Sequence, residues 1–120
     1  MVPVFSVSVD VLTGPPGPPE APEVSDVLKT SAVLTWRAPS DDGGTPVTAY
    51  WVERRLASSV RWVTVNKDAI TELTCAVKDL VDGSEYEFRV TAENKAGRGP
   101  PSAVSQSVLA KDPWGMYAAD

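Results

Sequence analysis

The sequence predicts an all-β protein, an antiparallel sandwich of seven short strands, and three observations predict it. From Leu80 to Tyr86 the chain reads LVDGSEY, with a turn glycine, Gly83, midway and a tyrosine opening the alternating run EYEFRVTAEN. This is the layout of a tyrosine corner, in which the phenol of Tyr86 reaches back to an upstream backbone group and ties two strands together. Trp36 closes an earlier alternating run and supplies the large core aromatic of such a sandwich. Apolar residues recur with period two along most of the chain, and no window competes with helical period.

Taken in order, Val7, Val9 and Val11 alternate with Ser8 and Asp10, which is strand periodicity. TGPPGPPEAP, from Thr13 to Pro22, then carries five prolines and two glycines. Proline lacks the ladder donor, so this segment reads as an extended, stiff connector. Its PxxP spacings have no flanking Arg or Lys, which disfavours an SH3 ligand. Val24 and Val27 suggest the first strand of the domain, and Ala32, Leu34 and Trp36 line a second. APSDDGGTP is dense in turn formers and reads as a loop. A third strand spans Val47 to Arg55, with Tyr50 and Val52 on one face and Trp51, Glu53 and Arg55 on the other.

Val60 to Val65 form a fourth strand, and Leu73, Cys75 and Val77 alternate on a fifth. Tyr86, Phe88, Val90 and Ala92 face inward on a sixth. NKAGRGPPS reads as a loop and Ala103 to Leu109 as the last strand. The expected core is Val24, Leu34, Trp36, Tyr50, Val52, Trp62, Leu73, Cys75, Val77, Leu80, Tyr86, Phe88, Val90 and Ala92. Trp51, on the opposite face from Tyr50, either packs under a neighbouring strand or serves as a surface contact. The organisation is therefore 1–12, a flank; 13–22, the connector; 23–110, the sandwich; and 111–120, a linker or tail.

Composition excludes several function classes. The 120 residues carry 11 Lys and Arg against 16 Asp and Glu, a net charge of −5, with no basic stripe for phosphate, so nucleic acid is not an expected partner. No segment is apolar enough to span a membrane, and residues 1–12 lack the basic start and cleavage site of a signal peptide. With no histidine and one cysteine, Ser-His-acid and Cys-His arrangements and a zinc site are out of reach. No phosphate-cradling glycine motif occurs. Asp41 and Asp42 lack the alternating oxygen ligands of a calcium loop, and their side chains are better used in bonds to nearby amides. The expectation is a non-enzymatic protein without cofactor or metal. Cys75 reads as an inert, inward thiol, and its solitude favours a cytoplasmic setting.

From Pro15 to Pro113 the residues resemble a fibronectin type III domain, an immunoglobulin-like sandwich. PPGPPEAPEVSDVLKTSAVLTWRAPSDDGGTPVTAYWVERR, RWVTVNK and YEFRVTAENKAGRGPPS together are similar to the subtype found in the titin, twitchin, projectin and myosin-binding protein C group. Two departures stand out: Trp51, where relatives often carry an aliphatic residue, and Cys75, where they often carry an aromatic or aliphatic one. The resemblance implies a module from a tandem array in a titin-like sarcomeric protein, with residues 1–12 either the last strand of a preceding immunoglobulin-like domain or a flexible flank. There it would act as a spacer in a molecular ruler and as part of a thick-filament, myosin-binding surface, beside neighbouring immunoglobulin or fibronectin type III modules in the A-band. The isolated domain would be a monomer. An extracellular adhesion or receptor module is the alternative, against which stand the absence of RGD, of paired cysteines and of an N-x-[ST] acceptor.

Two loops at one end of the sandwich form the candidate protein-binding surface: Asp41, Asp42, Gly43, Gly44 and Pro46, and Asn94, Lys95, Gly97, Arg98, Gly99, Pro100 and Pro101, with Trp51 as a further candidate. The competing account is that the glycines permit positive φ and the prolines stiffen the turns, with no partner involved. Trp36, Tyr50, Trp62, Leu80, Gly83 and Tyr86 are assigned structural roles.

Overall fold

The computed structural model describes residues 13–114; the alternating run at 1–12 and the end of the tail lie outside them. The described residues form eight strands: β1 (Glu23–Ser25), β2 (Ala32–Thr35), β3 (Ala49–Leu56), β4 (Val63–Thr64), β5 (Thr74–Val77), β6 (Glu85–Asn94), β7 (Gly97–Pro101) and β8 (Val108–Leu109). One sheet has the order β1-β2-β5. The other has the order β4-β3-β6, with both β7 and β8 on the far edge of β6. All pairings are antiparallel.

The seven-strand expectation meets this count through the last edge. β7 pairs with the end of β6 and β8 with its start, so the two form a single edge strand broken in the middle. Ser102 and Ser105 mend the break. Their hydroxyl oxygens accept from Val90 N and Phe88 N at 3.0 Å each, while their own amides donate to the carbonyls of the same two residues at 2.8 Å. Both serines are buried, and their hydroxyls donate in turn to Ala103 O and Gln106 O. Buried polar groups are tolerated when bonded in this way. GRGPP, expected as loop, is therefore strand. The loop proper shrinks to the β6–β7 turn, and the prolines are accommodated because β7 is an edge.

Between the sheets lie Leu34, Trp36, Tyr50, Val52, Val77, Leu80, Tyr86, Phe88, Val90 and Ala92, joined by Ala32 and Ala110. Trp36 and Tyr50 meet edge to face with ring centroids 5.6 Å apart, a favourable quadrupole arrangement. The corner is present as expected. The phenol oxygen of Tyr86 accepts from Val81 N at 2.9 Å. Gly83, at a φ of 88°, donates its amide to Ala110 O.

Four core expectations need correction. Val24 and Cys75 are only partly buried, at the edge of the core. Leu73 is 43 % exposed, and what it contributes is a backbone carbonyl that accepts from Trp36 N. Trp62 is not in the core at all. It lies on the outer face of the larger sheet, between the guanidinium groups of Arg55 and Arg89, 4.5 and 4.3 Å from its ring centroid. β4 is two residues long and begins after it, so the alternation that pointed Trp62 inward does not extend that far. Where β4 ends, Asn66 substitutes for a strand. Its Oδ1 accepts from Val52 N, and its amide donates to Tyr50 O and Asp68 O.

Candidate functional site

β3 and β6 run side by side from the pair Leu56–Tyr86 to the pair Ala49–Glu93. This places the 41–46 loop and the β6–β7 turn together at the Ala49–Glu93 end. The site is built on Asn94, the last residue of β6, whose side chain is buried. Its Nδ2 donates to Asp42 O at 2.7 Å and to Gly14 O at 2.8 Å, while its Oδ1 accepts from Ala96 N at 2.9 Å and closes the turn. One amide thus joins both loops to the proline-rich segment.

That segment is held elsewhere too. Gly14 N donates to Gly43 O and Gly17 N to Asp41 O, both at 2.8 Å. Within the 41–46 loop, Asp41 Oδ1 accepts from Gly43 N and Asp42 Oδ1 from Gly44 N, the local aspartate turn. Two glycines admit the segment. Gly43 stands at a φ of 82°, and a Cβ there would collide with the Gly14 carbonyl. A Cβ on Gly99 would collide with the Pro16 carbonyl oxygen. Pro16 is fully buried, and Pro19 and Pro22 are buried after it. Residues 14–17 of the connector are therefore docked on the end of the sandwich, where they cover part of the candidate loop surface.

What stays outward is narrower than the residue set read from sequence. Asp41, Asp42, Gly44, Pro46, Lys95, Arg98, Pro100 and Pro101 remain exposed; Asn94 does not, and Gly43, Gly97 and Gly99 are partly covered. Trp51 lies half-buried on the outer face of β3. Its Nε1 donates to Glu93 Oε1 at 2.6 Å, and the Arg98 guanidinium lies 4.2 Å from its ring centroid. Arg98 approaches Glu93 at 3.5 Å with half its side chain in solvent. Further along the same face, Arg89 pairs with Glu53 at 2.8 Å and Arg55 with Glu87 at 2.9 Å, the two pairs bracketing Trp62. Each is a directly opposed cross-strand couple. The exposed strip of the larger sheet is thus an alternation of tryptophan, arginine and glutamate.

Sequence reasoning missed Gly14, Pro15 and Pro16, Glu93 and the arginine pair around Trp62. A usable signal existed for the first: a glycine among loop residues, as at 43 and 99, marks close approach of another backbone. The arginine pair carried no such mark. Among the described residues, no cluster of three or more His, Cys, Asp or Glu could hold a metal ion, and no helix is long and apolar enough to cross a membrane. The Cys75 thiol is pushed up by burial, which disfavours its reactive thiolate.

Two sheets face to face, a tyrosine corner and a broken last edge define an immunoglobulin-like β-sandwich. The family model for the fibronectin type III domain matches residues 17–108, and the chain belongs to that family. Among curated relatives, it is 39 % identical over 94 residues to cardiac-type myosin-binding protein C of Gallus gallus, covering 78 % of this chain and 7 % of that protein. It is 41 % identical over 99 residues to the fast-type protein of Homo sapiens, covering 82 % and 8 %. The chain therefore spans less than a tenth of these relatives. Among solved structures, titin domains A168–A170 superpose with a TM-score of 0.78 at 39 % identity, over 82 % of this chain and 33 % of that one. The relatives and structural neighbours named here are muscle proteins.

Proposed function

We propose that this chain is a non-enzymatic structural module of a titin-like sarcomeric protein, serving as a spacer in a molecular ruler and presenting a thick-filament, myosin-binding surface. The observation that carries the spacer role is the docking of Gly14 to Gly17 onto the 41–46 loop, Asn94 and Gly99. A spacer defines length only if chain entering it has a fixed direction. A proline-rich segment bonded to the domain supplies that direction, where a flexible linker would not. Its prolines have little conformational entropy to lose on docking.

The binding role draws on two features. Relatives 39 % and 41 % identical are named for binding myosin, and Lys95 and Arg98 are exposed, with Trp51 half-buried beneath the Arg98 guanidinium. Contacts of this size are individually weak, and repetition along a filament sums them by avidity. The setting that follows is the A-band of striated muscle, with neighbouring immunoglobulin or fibronectin type III modules on either side. The test is immunolocalisation in striated muscle of the source organism. Regular bands over the thick filament are expected. Staining confined to the cell surface overturns the reading in favour of an adhesion or receptor module.

A further inference from the structure

At the end of the sandwich opposite the docked segment, a surface groove of about 330 Å³ opens between the end of β3, the start of β4 and the turn preceding β6. Its walls include Leu56, Val63 and Val81, and its lining reaches Tyr86 of the corner. These aliphatic side chains are 42 %, 44 % and 61 % exposed, and Val60, in the adjoining turn, is 89 % exposed. Half of the large hydrophobic residues exposed among the described residues are in these four positions. Three of them, Leu56, Val63 and Val81, are gathered in one concavity as opposed to scattered singly.

The charged side chains that line the groove are of one sign. Arg54, Arg55 and Arg61 line it, and no Asp or Glu does. Arg55 is neutralised by Glu87, but Arg54 and Arg61 are in none of the ion pairs found among the described residues. Arg54 is held in place without being neutralised. Its Nη1 donates to the Asp79 carbonyl at 3.3 Å, and its guanidinium lies 5.8 Å from the Tyr86 ring centroid. On a chain of net charge −5, Arg54 thus presents a guanidinium beside an apolar hollow, outside the ion pairs found among the described residues. Arginine in such a place matches carboxylates.

We propose that this groove docks an acidic peptide segment of a protein partner. A large aliphatic side chain of that segment enters between Leu56, Val63 and Val81, and flanking carboxylates meet Arg54 and Arg61. The small area makes the contact weak and transient when single. The proposal stands apart from the sarcomeric reading, because its test uses neither myosin nor a filament.

The test is a titration of the isotopically labelled chain, followed by amide NMR, with a short synthetic peptide of glutamates carrying leucines. Two controls replace each leucine by serine, or each glutamate by lysine. Saturable shifts centred on Leu56, Val63 and Val81 are expected, with clearly weaker binding of both controls. Arg61→Glu, on an exposed side chain, should weaken binding about tenfold, and Val81→Ser should weaken it while thermal unfolding shows both variants folded. Absence of saturable shifts overturns the proposal, as do shifts centred on Trp51 and Arg98, equal binding of either control, or binding unchanged in both variants. Concentration-dependent shifts at the same residues without peptide would assign the groove to a second copy of the chain and also overturn it.

Discussion

Gly99 lies so close beneath Pro16 that a Cβ on residue 99 would overlap the Pro16 carbonyl oxygen. The contact joins the last edge of the larger sheet to the segment that enters the domain. Because the obstacle is backbone, no side-chain rotation relieves it. Gly99→Val should therefore expel residues 14–17 while suiting the strand it occupies. The expected readout is amide exchange: Gly14 and Gly17 lose their bonds to Gly43 O and Asp41 O and exchange freely, while Phe88 and Val90 stay protected. Retained protection at Gly17 would count against the docked geometry.

Asn94→Ala should be among the costlier single changes at this end of the molecule. It removes donors to Asp42 O and Gly14 O and the acceptor for Ala96 N from a site that is only 2 % exposed. Groups left without partners when buried cost about 1–3 kcal/mol each. Solvent reaching the opened loops offsets part of that, so about 2–3 kcal/mol is expected by urea denaturation. Asn94→Asp should rescue only the turn, since its carboxylate accepts from Ala96 N but donates to neither carbonyl.

Tyr86→Phe leaves the ring stacked near Phe88, 6.4 Å away between centroids, and deletes only the acceptor for Val81 N. The expected loss is about 1–2 kcal/mol, seen as a lower urea midpoint at an unchanged slope. A changed slope would mean that the corner also shapes the unfolded state.

The corner was legible in the sequence because everything it needs lies within a few residues, from Leu80 to Tyr86. The inward faces of β2, β3 and β6 were legible for the same reason: one strand's alternation is written locally. The docked segment was not, since it depends on residues 14–17 meeting residues 41–43, 94 and 99, which only the closed sandwich brings together. β7 was hidden by its own composition. Glycine and proline in GRGPP argue for a loop, and edge pairing to β6, with a register shift between Thr91 and Glu93, overrides them. Of the candidate binding residues, Lys95 and Arg98 remain outward, whereas Asn94 and Gly99 turned out to serve the chain's own segment.

Trp62 illustrates how an aromatic on a strand pattern can mislead. Its ring rests between two guanidiniums that are themselves paired to Glu53 and Glu87, a surface seat with the look of a core one in sequence. The two positions make different predictions. A core tryptophan truncated to alanine costs about 3–5 kcal/mol, whereas loss of two partly exposed cation–π contacts costs about 1–2 kcal/mol. Trp62→Ala should fall in the lower range by urea denaturation, with near-native tertiary signals from Trp36.

Stability should fall on the alkaline side, and the sign follows from burial. Burial raises both the Cys75 thiol and the Tyr50 phenol above their ordinary values, so the folded state holds these protons more tightly than the unfolded chain. The resulting contribution is complete below the unfolded pKa and is lost as pH rises through the folded one. For Cys75 the loss begins near the unfolded thiol value of about 8.5, and for Tyr50 near the phenol value of about 10. Cys75→Ala should abolish the first stage of the decline and leave the second. A decline beginning at the same pH in wild type and variant, measured by urea midpoint across alkaline buffers, would show that Cys75 is solvated as freely in the folded protein as in the unfolded chain.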